Sequence, residues 1–505
     1  MNPIEHIIKW YIGNKAKDVL NCRTNAIELQ DKVFHSLIEK GKNTDYGKRH
    51  NFASIRKPAN YFNSAPVNDY DAIKDDVQKM MEGAQNVLWP TTVKWFAKSS
   101  GTTSDKSKFI PVSPEALDDN HFKGGQDLLG MYAYNNPKTK IFNGKILAMG
   151  GSQTIVPINK NARFGDISAV MLSNTPPIGN YLRAPEKSIA LLPDWEEKLQ
   201  RIVETTLTDD IHGMAGVPTW SVVLIQQLFE KTGKKDLLDI WPNMELYVHG
   251  GVSFVPYHEK FKQLIPHESM NYLQTYNASE GFFAFQDELH ADDMLLAVDH
   301  GVFYEFIPAG DWDKAFPSSI PLSDVEIGKN YALVITTNAG LWRYKIGDTI
   351  QFTNKNPYRI KVSGRTKHFI NVFGEEVIVD NSDQAIAKAC LQTNAIVVDY
   401  TVAPIYFEAN EKGGHEWLIE FEKQPDDFDK FKEILDNTLQ SINSDYEAKR
   451  FKNFALNFPV IHSVRAHLFT DWLQSKGKLG GQHKIPRLSN ERKYLEELLK
   501  LNADI

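Results

Sequence analysis

The residues best equipped for chemistry fall in three short stretches, of which the first is Lys98-Ser-Ser-Gly-Thr-Thr-Ser-Asp-Lys-Ser-Lys-Phe-Ile-Pro111. Small and hydroxylated residues, Ser99, Ser100, Gly101, Thr102 and Thr103, let the backbone turn tightly and aim several N–H groups at one point. That concavity suits an anion. Lys106 and Lys108 add mobile positive charge beside it, as a polyphosphate whose charge changes during a reaction requires. The spacing is not that of a Walker-type phosphate loop, and the same composition also serves ordinary surface turns. In the second stretch, Leu273-Gln-Thr-Tyr-Asn-Ala-Ser-Glu-Gly-Phe-Phe-Ala-Phe-Gln286, an aromatic-rich strand breaks at small residues with one carboxylate, Glu280, at the break. A carboxylate near phosphates repels them unless a magnesium ion shares oxygens with both. A solvated glutamate at a hairpin turn is the plainer alternative. In the third, Leu341-Trp-Arg-Tyr-Lys-Ile-Gly-Asp348, the aspartate after Gly347 can accept two hydrogen bonds from a ribose diol, or close a turn on its own backbone.

These stretches need elements to hold them, and the surrounding pattern supplies candidates. Apolar residues at near-helical spacing from Ile4 to Lys40 predict two amphipathic helices ending near Gly41. Asn68 or Asp69 caps a further helix. Lys94-Trp-Phe-Ala reads as a short strand entering the first stretch, and Ser113-Pro-Glu, with serine at an N-cap and proline at the first helical position, opens a helix after it. Strand, anion loop and helix in that order make a nucleotide site. Lys145-Ile-Leu-Ala-Met-Gly-Gly and Met244-Glu-Leu-Tyr-Val-His-Gly-Gly read as strands running into glycines, whereas Asp166-Ile-Ser-Ala-Val-Met-Leu suits strand or helix. Thr219 reads as the cap of a buried helix through Glu230. Interleaved strands and helices indicate an α/β architecture.

At 505 residues the chain is long enough for a large domain and at least one smaller one. Its 42% apolar and 24% charged content is that of an ordinary soluble globular protein. A net charge of −7 disfavours nucleic acid as the main partner. Cys22 and Cys390 have neither metal-ligand nor redox spacing and read as buried reduced thiols. No secretory leader pattern and no run of about 18 apolar residues is present, so the expectation is a cytoplasmic protein away from membranes, a monomer by default.

Together the stretches resemble the Gretchen Hagen 3 family of acyl acid amido synthetases, a branch of the adenylate-forming superfamily that also holds acyl-CoA synthetases and luciferases. Ser-Ser-Gly-Thr-Thr with Lys108 and Pro111 is similar to the family's first nucleotide motif, Tyr276-Asn-Ala-Ser-Glu-Gly281 to its second, and Arg343-Tyr-Lys-Ile-Gly-Asp348 to its third. The likeness runs from Thr44-Asp-Tyr-Gly-Lys-Arg-His-Asn-Phe to Gly481-Gln-His-Lys-Ile-Pro-Arg487. The resemblance implies a large N-terminal α/β domain of the firefly luciferase-like type, residues 1–377, that binds ATP and the acyl acid. A smaller mobile C-terminal α+β domain, residues 378–505, would carry the catalytic Lys484. It implies that Ser99 to Thr103 and Lys108 hold the phosphates of ATP, that Glu280 sits at Mg2+, and that Tyr276, Asn277, Ala278 and Ser279 form part of the nucleotide wall. Asp348 would hold the ribose, Lys367 contact the nucleotide near the hinge, and His249-Gly-Gly251 pack on adenine. The family's plant members usually carry glycine where Asp105 stands and arginine where Lys345 stands; both departures read as branch variation.

The implied chemistry follows from charge. A carboxylate is a poor electrophile, so its oxygen attacks the α-phosphate of ATP, and the resulting acyl-adenylate carries AMP as a good leaving group for attack by an amino acid amine. Lys484, Lys108 and the loop N–H groups, with magnesium at Glu280, would stabilise charge on the phosphates. No residue declares itself as base for the amine. Met171, Tyr181, Arg183 and Trp220 are the candidates for the acyl-acid pocket, Arg183 as partner of a substrate carboxylate, though core or surface packing explains them equally well. Two other readings stay open: a ligase that passes the acyl group to a thiol such as coenzyme A, and a non-catalytic nucleotide- or acid-binding relative.

Overall fold

The computed structural model describes residues 3–99, 108–148, 155–192, 194–251, 254, 257–312, 314, 316–366, 369–370, 375, 377–405, 413–443, 446–447, 450, 456–476 and 485–503. The chain divides into two compact units, Met1–Val252 with Leu264–Val362, and Ser253–Gln263 with Ser363–Ile505.

In the first unit the two expected N-terminal helices form as Pro3–Thr24 and Ala26–Gly41. The second buries Gln30, Phe34, Leu37, Ile38 and Gly41, one face of a 3.6-residue repeat. Its last residue must be glycine, since a Cβ there would lie 2.4 Å from the Trp342 ring. The helix Tyr70–Glu82 is capped by Asp69, whose carboxylate accepts the Ala72 N–H. Asn68 is absent from the cap because it is used elsewhere, as described below.

Among the described residues the main sheet has twelve strands. Arg183–Ala184, Lys145–Ala148, Ile211–Gly216, Leu246–Gly250 and Asn271–Ala278 run parallel. From Gly281–Phe285 onward the recorded pairings are antiparallel, through Met294–Leu296 to Tyr358–Arg365, and among Val302–Pro308, Asn330–Thr337 and Tyr344–Lys355. The change from parallel to antiparallel pairing takes place at the turn that carries Glu280. A second sheet orders Lys108–Val112, Trp95–Ser99, Arg163–Gly165 and Val156–Pro157.

Two local expectations resolve differently. The ambiguous Asp166 segment is a helix, Ile167–Asn174, because the Asp166 carboxylate accepts the Ala169 N–H and caps it. The helix expected to begin at Thr219 begins at Pro218, with Val217 at the cap position and no side-chain cap. Proline's fixed φ suits the first helical position, so Thr219 falls inside the first turn.

The second unit is α+β. Strand Gly414–Lys423 pairs antiparallel with Ile396–Ile405 and parallel with Val460–Val464. Trp417 and Ile419 face a core shared with Ile386, Ala389, Leu435 and Leu439 from helices Val379–Thr393 and Phe428–Ile442. Leu418, between them, faces the opposite core of Leu468, Trp472, Leu495 and Leu498, as strand alternation dictates.

Candidate functional site

Strands Trp95–Ser99 and Lys108–Val112 form an antiparallel hairpin with Ser99 opposite Lys108. Ser100, Gly101, Thr102 and Thr103 lie between them, outside the described residues. The hairpin base is fixed from three sides: the Phe109 N–H donates to the Tyr70 hydroxyl at 2.9 Å, the Phe109 and Phe164 rings meet edge to face at 5.1 Å, and Lys98 Nζ lies 5.8 Å from the Phe164 ring centre. Ser113 caps the following helix as expected, accepting the Ala116 N–H at 2.9 Å while donating to the Asn338 carbonyl at 2.7 Å.

That helix passes through a π-helical turn, Leu117–Phe122, before continuing as Lys123–Asn135. Such turns insert an extra residue and are common at functional sites. Here the turn presents Asn120, a buried residue that sequence reasoning missed. Its Oδ1 accepts the Phe282 N–H at 2.6 Å, and its Nδ2 donates to the Phe282 carbonyl at 3.1 Å and the His300 carbonyl at 2.9 Å. Phe282 opens a register shift in the Asn271–Ala278 and Gly281–Phe285 hairpin. Asn120 therefore satisfies both backbone groups of Phe282, at the edge of the register shift and two residues after Glu280. A polar residue seven positions after a helix cap was the available signal. The hairpin geometry offered as the plainer alternative for Glu280 is what forms; a hairpin turn and a ligand position are compatible.

Asp348 lies on a second irregularity. Lys345 pairs with Val334 and Thr349 with Ala332, so the strand Tyr344–Lys355 carries two surplus residues there. Gly347, at φ +94°, takes the left-handed conformation this requires. Asp348 Oδ2 accepts a hydrogen bond from the Tyr276 hydroxyl at 2.8 Å, which joins the second and third motifs directly. The strand's entry is pinned by Asn68: its N–H donates to the Arg343 carbonyl at 2.8 Å, its carbonyl accepts the Lys345 N–H at 2.7 Å, and its Nδ2 donates to the Tyr46 hydroxyl and the Trp342 carbonyl. The Lys345 ammonium donates to the Trp312 carbonyl at 3.0 Å.

Of the other nominated residues, Ser279 is buried, Ala278 and Glu280 are partly buried and Asn277 is exposed. Thr275 Oγ1 donates to the His249 carbonyl at 3.2 Å, and Gly251 follows at φ +79°. Between them, a Cβ on Gly250 would lie 2.6 Å from Thr275 Oγ1, so only glycine lets the two strands approach this closely. Met171 packs against the main core and Trp220 is partly buried, while Tyr181 is exposed. Arg183 is level with Ile146, Gly213, Leu246 and Asn271, seven residues before Ala278 and thus roughly 20 Å from it along the strand direction. Among the described residues its Nε and Nη1 are buried without a hydrogen-bond partner, and burial lowers its pKa. Lys367 and Lys484 lie outside the described residues.

Models of one family match along the length of the chain: the GH3 family N-terminal domain over residues 15–270, the central domain over 295–365 and the C-terminal domain over 380–493. The chain belongs to the GH3 family. It is 23% identical to an indole-3-acetic acid-amido synthetase, GH3.4 of Arabidopsis thaliana, over 92% of this chain and 89% of that one. It is likewise 23% identical to the 4-substituted benzoates-glutamate ligase GH3.12 of Arabidopsis thaliana, over 95% and 96%. Among solved structures, the AtGH3.15 acyl acid amido synthetase in complex with 2,4-DB superposes with a TM-score of 0.79 at 16% identity, covering 96% and 95%. The fold is that of the adenylate-forming enzymes, and the protein is an acyl-adenylate-forming ligase.

The magnesium that the sequence resemblance implies takes oxygen ligands, typically one or two carboxylates plus substrate phosphates, and a carboxylate at the hairpin turn fits that chemistry. Glu280 has a carboxylate of that kind, two residues before Phe282, whose N–H and carbonyl both bond Asn120. Among the described residues, the one cluster with metal-ligand spacing is a different one, Asp127, Asp299 and His300. It already holds a cation, since Lys123 Nζ lies 2.5 Å from Asp127 and 3.3 Å from Asp299, and His300 Nε2 lies 2.9 Å from Asp127. We read it as a buried ion-pair network behind Asn120. His121, next to Asn120, is buried, and desolvation pushes its pKa down to about 4. It is too weak a base to deprotonate an ammonium group at neutral pH. Among the described residues no helix is long and apolar enough to cross a membrane.

Proposed function

We propose that this GH3 protein joins a carboxylic acid to an amino acid through an acyl-adenylate, using ATP and magnesium and giving an amide, AMP and pyrophosphate. The observation that carries this reading is the length of the match: relatives named for amide-bond formation align over 92% and 95% of the chain. In the first half reaction the loop from Ser99 to Thr103, with Lys108, holds the phosphates, and Asp348 orients the ribose against a wall formed by Tyr276, Asn277, Ala278, Ser279 and Gly251. Lys367 contacts the nucleotide. Glu280 would hold magnesium, which would supply charge neutralisation on the phosphates. Lys484 stabilises the α-phosphate while the acid's oxygen bonds to it and pyrophosphate leaves. In the second half reaction a neutral amine attacks the acyl carbon and AMP departs with the bonding electrons. The work of the chain is positioning and electrostatic stabilisation, with no covalent protein intermediate. The acid and the amino acid are small-molecule partners of a cytoplasmic monomer, and Met171, Tyr181, Arg183 and Trp220 are the candidates for the acid pocket.

The test is acid-dependent pyrophosphate release from ATP and magnesium across aromatic, indole and aliphatic acids, with and without mixed amino acids. The expected result is acid-dependent release, amide and AMP on adding amino acids, and loss of release in Lys484→Ala while a supplied acyl-adenylate is still consumed. Product formation with coenzyme A and none with amino acids would replace this reading with that of a thiol-transferring ligase.

A further inference from the structure

We infer that Thr401 and Asp383 are positioning residues for Lys484, fastening the stretch of chain that begins at the residue after it. The inference rests on the reading that Lys484 acts on the α-phosphate, and every contact it uses lies within the second unit. Ile396–Ile405 is the outer strand of that unit's three-stranded sheet, and residues 486–489 run along its other edge. The Val402 N–H donates to the Arg487 carbonyl at 2.8 Å, and the Ser489 N–H donates to the Val402 carbonyl at 3.1 Å. Leu488 joins the core that holds Tyr400 and Val402, and Ile485 the core that holds Ala403 and Leu418. Toward Lys484 this ladder cannot continue, because Pro486 has no N–H and the Tyr400 N–H donates to Asp399 Oδ1 at 2.9 Å.

Side chains take over at that point. Thr401, which is buried, donates from Oγ1 to the Pro486 carbonyl at 2.7 Å. Asp383, also buried, holds Arg487: its Oδ1 accepts from Nη1, and the Tyr400 hydroxyl donates to the same oxygen at 2.5 Å. The Arg487 guanidinium lies over the Tyr400 ring, 4.9 Å from its centre, and Asp399 attracts it more weakly than Asp383 does. A buried ion pair is a poor source of stability, and its best-attested use is to fix register. Register is what Lys484 needs, since its charge must meet one phosphate group, and a misplacement of about 1 Å can cost about a hundredfold in rate. Lys484 serves adenylation, so losing the tethers slows that half reaction and spares amide formation.

The experiment measures two rates: acid-dependent pyrophosphate release, with whichever aromatic, indole or aliphatic acid reacts fastest, and consumption of that acid's synthetic acyl-adenylate with mixed amino acids. The whole chain is compared with Thr401→Val, Thr401→Ser, Asp383→Asn and Lys484→Ala. Valine keeps the shape of threonine without its donor, so Thr401→Val carries the test if thermal midpoints show that Asp383→Asn does not fold. Thr401→Val and Asp383→Asn should each lower release about tenfold, the worth of one hydrogen bond, with acyl-adenylate consumption within about threefold of the parent. Thr401→Ser keeps the hydroxyl and should hold release within about threefold of the parent. Equal losses in both half reactions would mean a structural role and overturn the inference. If Lys484→Ala itself retains release, the α-phosphate reading fails. If Lys484→Ala loses release while Thr401→Val and Asp383→Asn keep it, only the positioning role fails.

Discussion

Arg343 opens the third nucleotide motif, yet its guanidinium serves the fold. It forks onto Glu305, with Nε 3.0 Å and Nη2 2.8 Å from Oε2, and Nη1 donates to the Phe62 and Ala65 carbonyls at 2.7 and 2.6 Å. Glu305 is fully buried, and desolvation raises its pKa while Arg343 opposes the rise. Arg343 also adopts φ +43°, a conformation uncommon outside glycine that the surrounding bonds must impose. Removing the cation leaves a buried carboxylate with Ser319, among the described residues, as its remaining side-chain donor. Arg343→Ala should therefore lower unfolding stability by about 3–5 kcal/mol, while the uncharged pair Arg343→Met with Glu305→Gln should recover most of that loss. Urea denaturation of the three proteins measures it; a single-variant loss below about 1 kcal/mol would show that the pair is solvated in solution.

At the scale of elements, Asp348 stands where a strand departs from regular pairing, and Glu280 stands in a hairpin turn that is followed by such a departure between Phe282 and Ala284. Irregularities of this kind re-aim side chains out of the ladder, and each one here has a side chain bonded beside it. Tyr276 bonds Asp348, and Asn120 bonds Phe282, two residues after Glu280. Asn120→Ala removes three hydrogen bonds and leaves the Phe282 N–H and carbonyl without that side chain. The expected result is a stability loss of about 2 kcal/mol and a rise of about tenfold in the magnesium concentration for half-maximal pyrophosphate release. An unchanged magnesium midpoint in a folded Asn120→Ala protein would separate Asn120 from Glu280. The helix caps at Asp69 and Ser113 and the strands beside the motifs were legible in the sequence, because turn and cap chemistry acts within a few residues. Asn120 was not, since a lone asparagine gains its meaning from a backbone 162 residues away.

For the molecule as a whole, the buried imidazole of His121 links stability to pH. Its folded pKa of about 4 lies below the ordinary value of 6.5. Between these values the unfolded chain binds the proton and the folded chain does not, so stability falls as pH drops from about 6.5 to 4, by about 3 kcal/mol in all. His121→Gln should flatten that part of the profile, as unfolding midpoints at pH 7 and pH 4.5 would record; an identical acid loss in the variant would assign the effect to other groups. The amino-acid sequence by itself carried the family resemblance, in three short contiguous motifs and their order, and the α/β class, in the periodicity of its apolar residues. Tertiary structure alone decided that Ser253–Gln263 joins the second unit, that Tyr276 meets Asp348, that Asn68 and Asn120 hold the backbones of the motifs, that Arg343 belongs to Glu305, and that Arg183 lies far along the sheet from Ala278. These pairings close long loops and depend on strand register, where a shift of one residue exchanges the two faces of a strand, so no local pattern of residues encodes them.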